Sequence, residues 1–336
     1  MRIVVDAMGT DNYPAPDVEG AVLAARDFSD PIIVVGDEAA IKRELAKHTT
    51  AGLPIEVVHA SEVITMEDKP GTVGKAKPNS SMHVGMNLVK QGQADAFVSM
   101  GNTGAALSIA LLHTLRRIRG VKRPALTAIP PFAGKQMVFT DVGANADCKP
   151  DWMAQFALMG SIYAQTTLGV KKPTVALLSN GEEEGKGNEL IRQSAELIAA
   201  LPVDFIGNVE PKDVLKGAAD VVVMDGFVGN IFIKSLEAGT SALTQIIRQE
   251  LMNSFLTKIG AALARPAFGR VRKQIDPFEI GGAPLLGIDG VVIIGHGRSN
   301  ATAIRNGVRQ ARAAVQGKVI ETIHTGMASL ATSDES

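Results

Sequence analysis

The sequence contains a single cysteine and few aromatic residues, and its formal charges nearly cancel. Cys148 by itself allows no internal disulfide bond and no cysteine-built zinc site, so we expect a reducing, cytosolic setting. Aromatic residues make up 4% of the 336 residues, which argues against base-stacking platforms and aromatic sugar-binding clefts. The 34 basic and 35 acidic residues give a net charge of −1, so no global field attracts nucleic acid, and we expect no such partner.

Long apolar runs are scarce as well. Residues 96–115 and 152–170 carry no formal charge, but polar residues such as Asn102 and Gln155 interrupt both. A membrane span needs about 20 predominantly apolar residues, so these segments fit a strand–turn–helix and a buried helix better. The N-terminus places Asp6 where a signal peptide has its apolar run, and we expect no secretion.

Short β-branched runs alternate with longer helical patterns along the chain. The predicted strands are Ile3–Asp6, Ile32–Gly36, Ile55–His59, Ala96–Ser99, Val138–Val142, Val175–Ser179 and Val221–Asp225. This rhythm predicts a three-layer α/β/α fold with a mostly parallel sheet. We expect one domain over residues 1–325 and a flexible tail over residues 326–336. Ligands of such sheets bind at the carboxyl ends of the strands, so the residues after each strand are the candidates for a site.

Residues 231–275 interrupt this rhythm with a helical pattern too long for a crossover. Apolar residues recur at Ile247, Leu251, Phe255 and Ile259, and Pro266 suggests a helical hairpin. Between residues 251 and 275 there are five bases and no acid. An apolar stripe with clustered cations indicates contact with anionic lipid or an acidic protein, while a dimer interface with a solvated basic rim is the alternative.

Several predicted turns at strand ends suit an anionic ligand. Gly101-Asn102-Thr103-Gly104 leads from a strand into a helix, where backbone N–H groups can hold a phosphate, although a plain capping turn explains it equally well. Asp225 and Asn230 follow an apolar strand, and His296 precedes a predicted helix near Ala301. For Asp225 and Asn230, ordinary turn chemistry is the alternative.

The loop Asn180–Glu189 places Lys186 between two glycines after three consecutive glutamates. It is not a P-loop, because the glycine spacing is one residue short and Gly187 replaces the hydroxyl residue that binds magnesium. Small neighbours allow the lysine ammonium to approach a ligand, and a solvated charged loop is the alternative.

Familiar catalytic motifs are missing. There is no H-x-x-x-H metal motif, no G-x-S-x-G nucleophile elbow and no G-x-G-x-x-G after the first strand. No histidine lies near Cys148 in sequence to act as its base, so we interpret this thiol as structural. A second basic cluster contains Arg116, Arg117, Arg119, Lys122 and Arg123, which an ordinary helix end would also favour.

Eight motifs follow one another between residues 1 and 320: Val5-Asp6-Ala7-Met8-Gly9, Ser99-Met100-Gly101-Asn102-Thr103-Gly104, Asp141-Val142-Gly143-Ala144-Asn145, Asp147-Cys148-Lys149-Pro150, Gly181-Glu182-Glu183-Glu184-Gly185-Lys186-Gly187-Asn188-Glu189, Asp225-Gly226-Phe227-Val228-Gly229-Asn230, Gly281-Gly282-Ala283-Pro284-Leu285-Leu286-Gly287 and His296-Gly297-Arg298-Ser299-Asn300. Together they resemble the PlsX family, the acyl-[acyl-carrier-protein]:phosphate acyltransferases of bacterial phospholipid synthesis. The resemblance implies a fold akin to isocitrate and isopropylmalate dehydrogenases and to phosphotransacetylases. It also implies a homodimer on the inner face of the cell membrane.

The implied reaction needs neither a metal nor a cofactor, because phosphate is itself the nucleophile and a thiolate leaves readily. What it needs is positioning and stabilisation of the carbonyl oxygen as it becomes anionic. We expect Lys186 and Asn230 to be catalytic. The residues expected to bind substrate or phosphate are Asp6, Gly101, Asn102, Thr103, Gly104, Asn145, Asp225 and His296. The residues expected to contact membrane or carrier are Leu251, Phe255, Leu256, Lys258, Arg265 and Arg270.

Two other functions remain open at this stage. A phosphotransacetylase acting on coenzyme A thioesters is the nearest enzymatic alternative, and a non-catalytic membrane scaffold would explain the hairpin but not the polar strand-exit loops. A dehydrogenase is disfavoured because the metal-binding aspartates are missing at helical spacing.

Overall fold

Eleven short strands form one mixed sheet in the computed structural model, which describes residues 1–132, 134–275 and 277–333. Their order across the sheet is β10-β9-β11-β8-β5-β12-β13-β4-β1-β2-β3, and β6 pairs with β7 in a separate ribbon. The strands are β1 (Ile3–Asp6), β2 (Ile32–Gly36), β3 (Ile55–His59), β4 (Ala96–Ser99), β5 (Ala125–Ala128), β6 (Pro131–Phe132), β7 (Lys135–Gln136), β8 (Val138–Thr140), β9 (Thr174–Leu178), β10 (Asp204–Val209), β11 (Val221–Val223), β12 (Ala283–Leu286) and β13 (Val291–Ile294).

The sheet consists of two parallel halves that run in opposite directions. In one half β3, β2, β1, β4 and β13 are parallel, and in the other β10, β9, β11 and β8 are parallel. Between the halves, β12 is antiparallel to β13 and β5, and β5 is antiparallel to β8. We call the edge at the carboxyl ends of β1, β2, β3, β4 and β13 the first edge, and the edge at the carboxyl ends of β8, β9, β10 and β11 the second edge.

The predicted fold class is confirmed, but the candidate loops after the strands do not all lie at one edge of the sheet. The reversal arises at β5 and β12, two short strands that were absent from the sequence prediction, as were β10 and β13. Because the halves run in opposite directions, their strand-exit loops lie at opposite edges.

Helices cover both faces of the sheet. One face carries α1, α6, α7, α11 and α12, whose apolar residues share a single core cluster with both halves. The other face carries α4 and α5 over the first half and α8 and α9 over the second. The helices are α1 (Ala15–Phe28), α2 (Glu38–Leu45), α3 (Pro70–Ala76), α4 (Ser81–Lys90), α5 (Thr103–Ser108, continued by a π-helical turn Ile109–His113), α6 (Pro150–Thr166), α7 (Glu189–Ala199), α8 (Pro211–Val214), α9 (Gly226–Leu251), α10 (Phe255–Ile275, followed by a 3₁₀ turn Pro277–Glu279), α11 (Ala301–Gln316) and α12 (Val319–Ser333).

The central strands are buried along their whole length. Every residue of β1, β2, β4 and β13 is buried, which explains why these segments are apolar at nearly all positions rather than alternating. The loops after these strands therefore extend from a buried sheet.

The predicted helical hairpin is present as α9 and α10, but Pro266 does not break it. The chain turns at residues 252–254, where the Ser254 hydroxyl accepts a hydrogen bond from the Thr257 N–H at 3.1 Å and caps α10. Pro266 lies inside α10. The turn of the hairpin therefore lies at the polar cap of Ser254 and not at Pro266, where it was predicted.

The predicted flexible tail is largely wrong. Helix α12 continues to Ser333, and Met327 is 2% exposed because it packs into the core cluster. Residues 334–336 lie outside the described chain.

Candidate functional site

A buried polar network lies at the first edge and contains the predicted binding residue Asp6. Its carboxylate accepts hydrogen bonds from the Ser99 hydroxyl at 2.7 Å and from the Met8 N–H at 3.0 Å. Ser99 in turn accepts a hydrogen bond from the Gly101 N–H at 3.1 Å. Burial raises the pKa of Asp6. This carboxyl group holds the loops after β1 and β4 together and is not available to bind an anion directly.

The loop Gly101–Gly104 is a capping turn tied to its neighbours. Asn102 caps α5 by accepting a hydrogen bond from the Ala105 N–H at 3.0 Å. Its Nδ2 donates to the carbonyl oxygens of Thr65 and Asp68 at 3.2 and 3.1 Å. The Asn102 side chain is therefore fully occupied, whereas the Thr103 side chain is exposed.

His296 lies at the same edge, in the loop after β13. Its Nε2 is 3.8 Å from the Glu237 carboxylate on α9, and Arg298 contacts the same carboxylate at 3.4 Å. This cluster ties the loop to α9, which originates in the other half of the sheet.

Asp17 is a fully buried carboxyl group behind this network, and we expect it to make stability depend on pH. It accepts a hydrogen bond from the Thr10 hydroxyl at 2.5 Å, while its Oδ1 has no partner among the residues that the structure describes. Burial, together with the nearby Asp6, raises the pKa of Asp17 to about 8. The folded state therefore keeps a proton that the unfolded state releases above its ordinary pKa of 3.8, so stability falls as pH rises from about 4 to about 8.

Asp17→Asn should remove this dependence, which approaches about 1.4 kcal/mol per pH unit for one proton. Thermal unfolding at pH 5 and pH 8 should show the wild type losing stability relative to this variant. Glu19→Gln, on the exposed side of the same helix, is the matched control. Equal pH dependence of the wild type and Asp17→Asn would contradict the prediction.

Asp141 organises the second edge, although it was not among the predicted site residues. Its Oδ1 accepts hydrogen bonds from the N–H groups of Leu126, Gly143 and Ala144 at 3.0, 3.1 and 3.0 Å. Its Oδ2 accepts from the Asn145 N–H at 2.7 Å and from Asn145 Nδ2 at 2.9 Å. Burial raises the pKa of Asp141, and the hydrogen bonds from Ala144, Asn145 and Gly143 oppose that shift. The carboxyl group thus fixes the whole loop after β8.

Two predicted binding residues beside it serve the scaffold. Asn145 donates through Nδ2 to the Pro124 carbonyl at 2.8 Å, and its own carbonyl accepts from the Gly226 N–H at 2.8 Å. Asp225 caps α9 by accepting hydrogen bonds from the N–H groups of Phe227 and Val228. Their side chains hold the loops in place and leave little capacity for a ligand.

Cys148 lies next to this loop, with its Sγ 3.5 Å from the Asn145 carbonyl oxygen. Burial, together with the nearby acids Asp141, Asp225 and Asp147, raises the pKa of the Cys148 thiol to about 12. It is therefore protonated at neutral pH and unsuited to act as a nucleophile, which supports a structural role.

Asn230 also lies at this edge, with its side-chain amide close to the loop after β8. Gly229 allows the close approach: a Cβ at that position would lie 2.0 Å from the Asp141 carbonyl oxygen. The next residue, Asn230, lies against Gly143: a Cβ added to Gly143 would be 2.9 Å from Asn230 Nδ2. Within the described part of the chain, the Asn230 side chain makes no hydrogen bond. Its amide N–H groups are available to a ligand.

Lys186 lies on the neighbouring loop, after β9. The flanking Gly185 and Gly187 have φ angles of +86° and +92°, a backbone conformation that glycine adopts without strain. The aliphatic stem of the lysine passes Gly181, and Asn208 Nδ2 contacts the Lys186 carbonyl at 3.4 Å. The side chain is exposed, and no acid among the described residues pairs with its ammonium group. The loop presents a free cation.

The predicted site residues thus form two groups rather than one. Lys186, Asn145, Asp225 and Asn230 follow adjacent strands at the second edge, while Asp6, Gly101–Gly104 and His296 lie at the first. Helix α9 spans the two, and the 12 residues from Asp225 to Glu237 rise about 18 Å. No cluster of histidine, cysteine or acidic residues suited to a metal ion occurs in the chain as described.

The residues predicted to contact membrane or carrier lie on the hairpin. Phe255 and Leu256 at its tip are 77% and 80% exposed, and Leu251 is partly buried. Lys258, Arg265 and Arg270 are exposed along α10. None of the helices in the described ranges is long and apolar enough to cross a membrane.

Sequence comparison identifies the family. Residues 1–322 match the family model described as "Fatty acid synthesis protein". The phosphate acyltransferase of Geobacter sulfurreducens is 47% identical over 309 residues, which cover 92% of this chain and 89% of the relative. The chain belongs to the PlsX family of phosphate acyltransferases. Another family member, the phosphate acyltransferase of Pelotomaculum thermopropionicum, is 43% identical over 98% of this chain and 96% of its own length.

Solved structures support the fold. A phosphotransacetylase from Streptococcus pyogenes aligns with a TM-score of 0.59 and 18% identity, covering 96% of this chain and 94% of its own. A 4-hydroxythreonine-4-phosphate dehydrogenase from Klebsiella pneumoniae aligns with a TM-score of 0.53 and 16% identity, covering 94% of this chain and 99% of its own. At these identities the likeness establishes the architecture that this PlsX-family chain shares with both enzymes.

Proposed function

We propose that this chain transfers a long-chain acyl group from acyl-[acyl-carrier-protein] to inorganic phosphate, giving acyl phosphate for glycerol-3-phosphate acylation. As a member of the PlsX family it is an acyltransferase of lipid synthesis that acts on phosphate. The carrier-bound donor and the later use of the product are parts of the proposal. The observation that supports it is that Lys186 and Asn230 follow neighbouring strands at the second edge, and neither side chain has a polar partner among the described residues.

In the proposed step a phosphate oxygen attacks the thioester carbonyl carbon. A C–O bond forms, the C–S bond breaks, and the thiolate takes up a proton from solvent. Because phosphate is already anionic and further negative charge develops on the carbonyl oxygen, a cation and an amide N–H donor stabilise the transition state. Lys186 supplies the first and Asn230 the second. Asp141, Asn145 and Asp225 act as positioning residues through the hydrogen bonds described above.

At the first edge, fewer of the predicted residues have a side-chain group available to bind phosphate than the sequence suggested. The Asn102 amide is already hydrogen-bonded, and Asp6 is buried within its network. Of these three side chains, the exposed Thr103 hydroxyl is the one that remains available to bind an anion. We retain Thr103 as a predicted phosphate contact that lies away from the reacting groups at the second edge, and we assign Asp6 and Asn102 to positioning.

The decisive assay incubates purified protein and phosphate with either acyl-carrier protein or acyl-coenzyme A and measures acyl phosphate. Product from the carrier-bound donor alone, or at much higher kcat/KM, is the expected result. Equal or better use of acyl-coenzyme A would favour the phosphotransacetylase-like alternative. No product from either donor would favour the scaffold.

We also propose that the hairpin holds the enzyme on the inner face of the cell membrane, in the cytoplasm. Phe255 and Leu256 form an apolar tip, and the bases on α10 complement anionic lipid headgroups. Exposed apolar residues further along α9, such as Leu243 and Ile246, suit a homodimer interface. Light scattering of the purified protein tests the dimer.

Replacing Leu251, Phe255 and Leu256 with aspartate should abolish co-sedimentation with phosphatidylglycerol vesicles, because it replaces the apolar tip with three charges. Leu197, Ile206 and Leu215 are also exposed and lie outside the hairpin. Replacing these three with aspartate provides the matched control, which should bind as the wild type does. Undiminished vesicle binding by the tip variant would refute the membrane contact.

A further inference from the structure

A basic groove lies at the second edge and has no part in the mechanism proposed above. Its volume is about 860 Å³. Two segments, 116–123 and 149–152, form its charged walls, and the end of the π-helical turn closes one side. Its charged lining consists of six bases and one acid: Arg116, Arg117, Arg119, Lys122, Arg123, Lys149 and Asp151.

Most of the basic side chains that line the groove have no acidic partner among the described residues. Lys122 pairs with Asp151 at 2.5 Å, which leaves the other five bases without an acidic partner in the described chain. The Arg123 guanidinium lies 4.9 Å from the centre of the Trp152 ring, and the Lys149 ammonium lies 5.9 Å from it. This stacking orders two of the cations without neutralising them. The chain as a whole has a net charge of −1, so these five unpaired bases form a locally positive surface.

The position of the groove connects it to the proposed site. Asn145 joins the loop after β8 to the Pro124 carbonyl, at the end of the basic segment. Along the second edge, the start of β5 and the Lys186 loop are separated by three strand spacings, or about 15 Å. An extended thioester arm can cover this distance.

We infer that the basic groove docks an acidic face of the protein that presents the acyl thioester. The inference rests on the proposed function, since that function supplies a carrier-bound donor. Charge complementarity selects this occupant: carrier proteins are acidic, and arginine-rich surfaces bind carboxylates at two points and steer acidic partners during encounter. Docking here would set affinity, while Lys186 and Asn230 would set the chemical rate.

The test reverses two exposed and unpaired charges, in the double variant Arg119→Glu/Lys149→Glu. We expect Kd for acyl-carrier protein, measured by fluorescence anisotropy, and its KM to rise at least tenfold, with kcat within twofold of the wild type. The salt dependence of KM should also weaken. Lys90→Glu/Lys171→Glu makes the same net charge change at two exposed lysines outside the groove and should change KM less than twofold. Arg119→Gln/Lys149→Gln should give an intermediate rise.

Equal KM values for the groove and control variants would overturn the inference. So would a groove variant that binds acyl-carrier protein normally but loses phosphatidylglycerol vesicles, because the groove would then serve lipid. Failure of the wild type to make acyl phosphate from acyl-carrier protein would overturn the proposed donor and this inference together. The wild-type assay separates that outcome from the first two.

Discussion

Lys186→Ala is expected to lower kcat for acyl phosphate formation by about 10²–10³-fold, the usual cost of removing one electrostatic donor from a transition state. The side chain is exposed and no described acid pairs with it, so its loss should leave the fold intact. Its charge matters most when the carbonyl oxygen becomes anionic. We therefore expect kcat to fall far more than KM for the acyl donor rises, and steady-state kinetics with both substrates varied will measure the split.

Two variants serve as controls for this result. Lys186→Arg keeps the charge but changes its shape, so it should recover only part of the rate. Lys212→Ala removes an exposed lysine that pairs with Glu210 at 3.0 Å, and it should retain full activity. Near-normal turnover by a correctly folded Lys186→Ala would end the catalytic assignment.

Asp141→Asn is expected to damage both stability and activity. The carboxylate accepts five hydrogen bonds, and an amide in its place would turn one acceptor into a donor facing N–H groups. Leaving buried donors unpaired should lower the free energy of unfolding by about 2–4 kcal/mol. The loop after β8 would then shift beneath Asn230. A displacement of about 1 Å in a catalytic group can cost about 10²-fold, so we expect a similar loss in kcat.

Urea denaturation and steady-state kinetics on the same preparation will test both effects. Asp147→Asn alters an exposed acid six residues along the chain and is the matched control, with small effects expected on both measurements. Full activity in a destabilised Asp141→Asn would show that the loop geometry does not position Asn230. Unchanged stability would show that the five hydrogen bonds contribute little.

The sequence predicted the character of most elements because their residues are buried on both sides. Strands such as Ile3–Asp6 and Ile32–Gly36 are apolar at nearly all positions, and they were predicted with the observed bounds. The hairpin was predicted from its apolar stripe. The misplaced turn has a simple reason: Pro266 is tolerated inside α10, while the turn is marked by Ser254, a favoured N-cap residue that was not selected.

The candidate site was predicted only in part. Asp141 belongs to a motif at the end of a predicted strand. A carboxylate at such a position can accept hydrogen bonds from several backbone N–H groups, so Asp141 could have been selected for that reason. Asn145 was selected instead, but its amide is occupied by Pro124 and Asp141. Asn102 shows the same limit. An asparagine side chain can cap a helix, bind a ligand or hold two loops together, and only its contacts show which of these it does.

The sequence by itself determined the three-layer architecture, the family and the chemistry that the chain lacks, because burial patterns and motifs are local properties. Only the tertiary structure decided which strand-exit loops meet. That depends on the direction of each strand, and the reversal at β5 and β12 is set by long-range pairing. It separates Lys186 and Asn230 from Asp6 and His296. The tertiary structure also brings the basic segment 116–123 and Lys149 into one groove. The single cysteine lies among buried and acidic neighbours that keep it a thiol, a fact that composition alone does not contain.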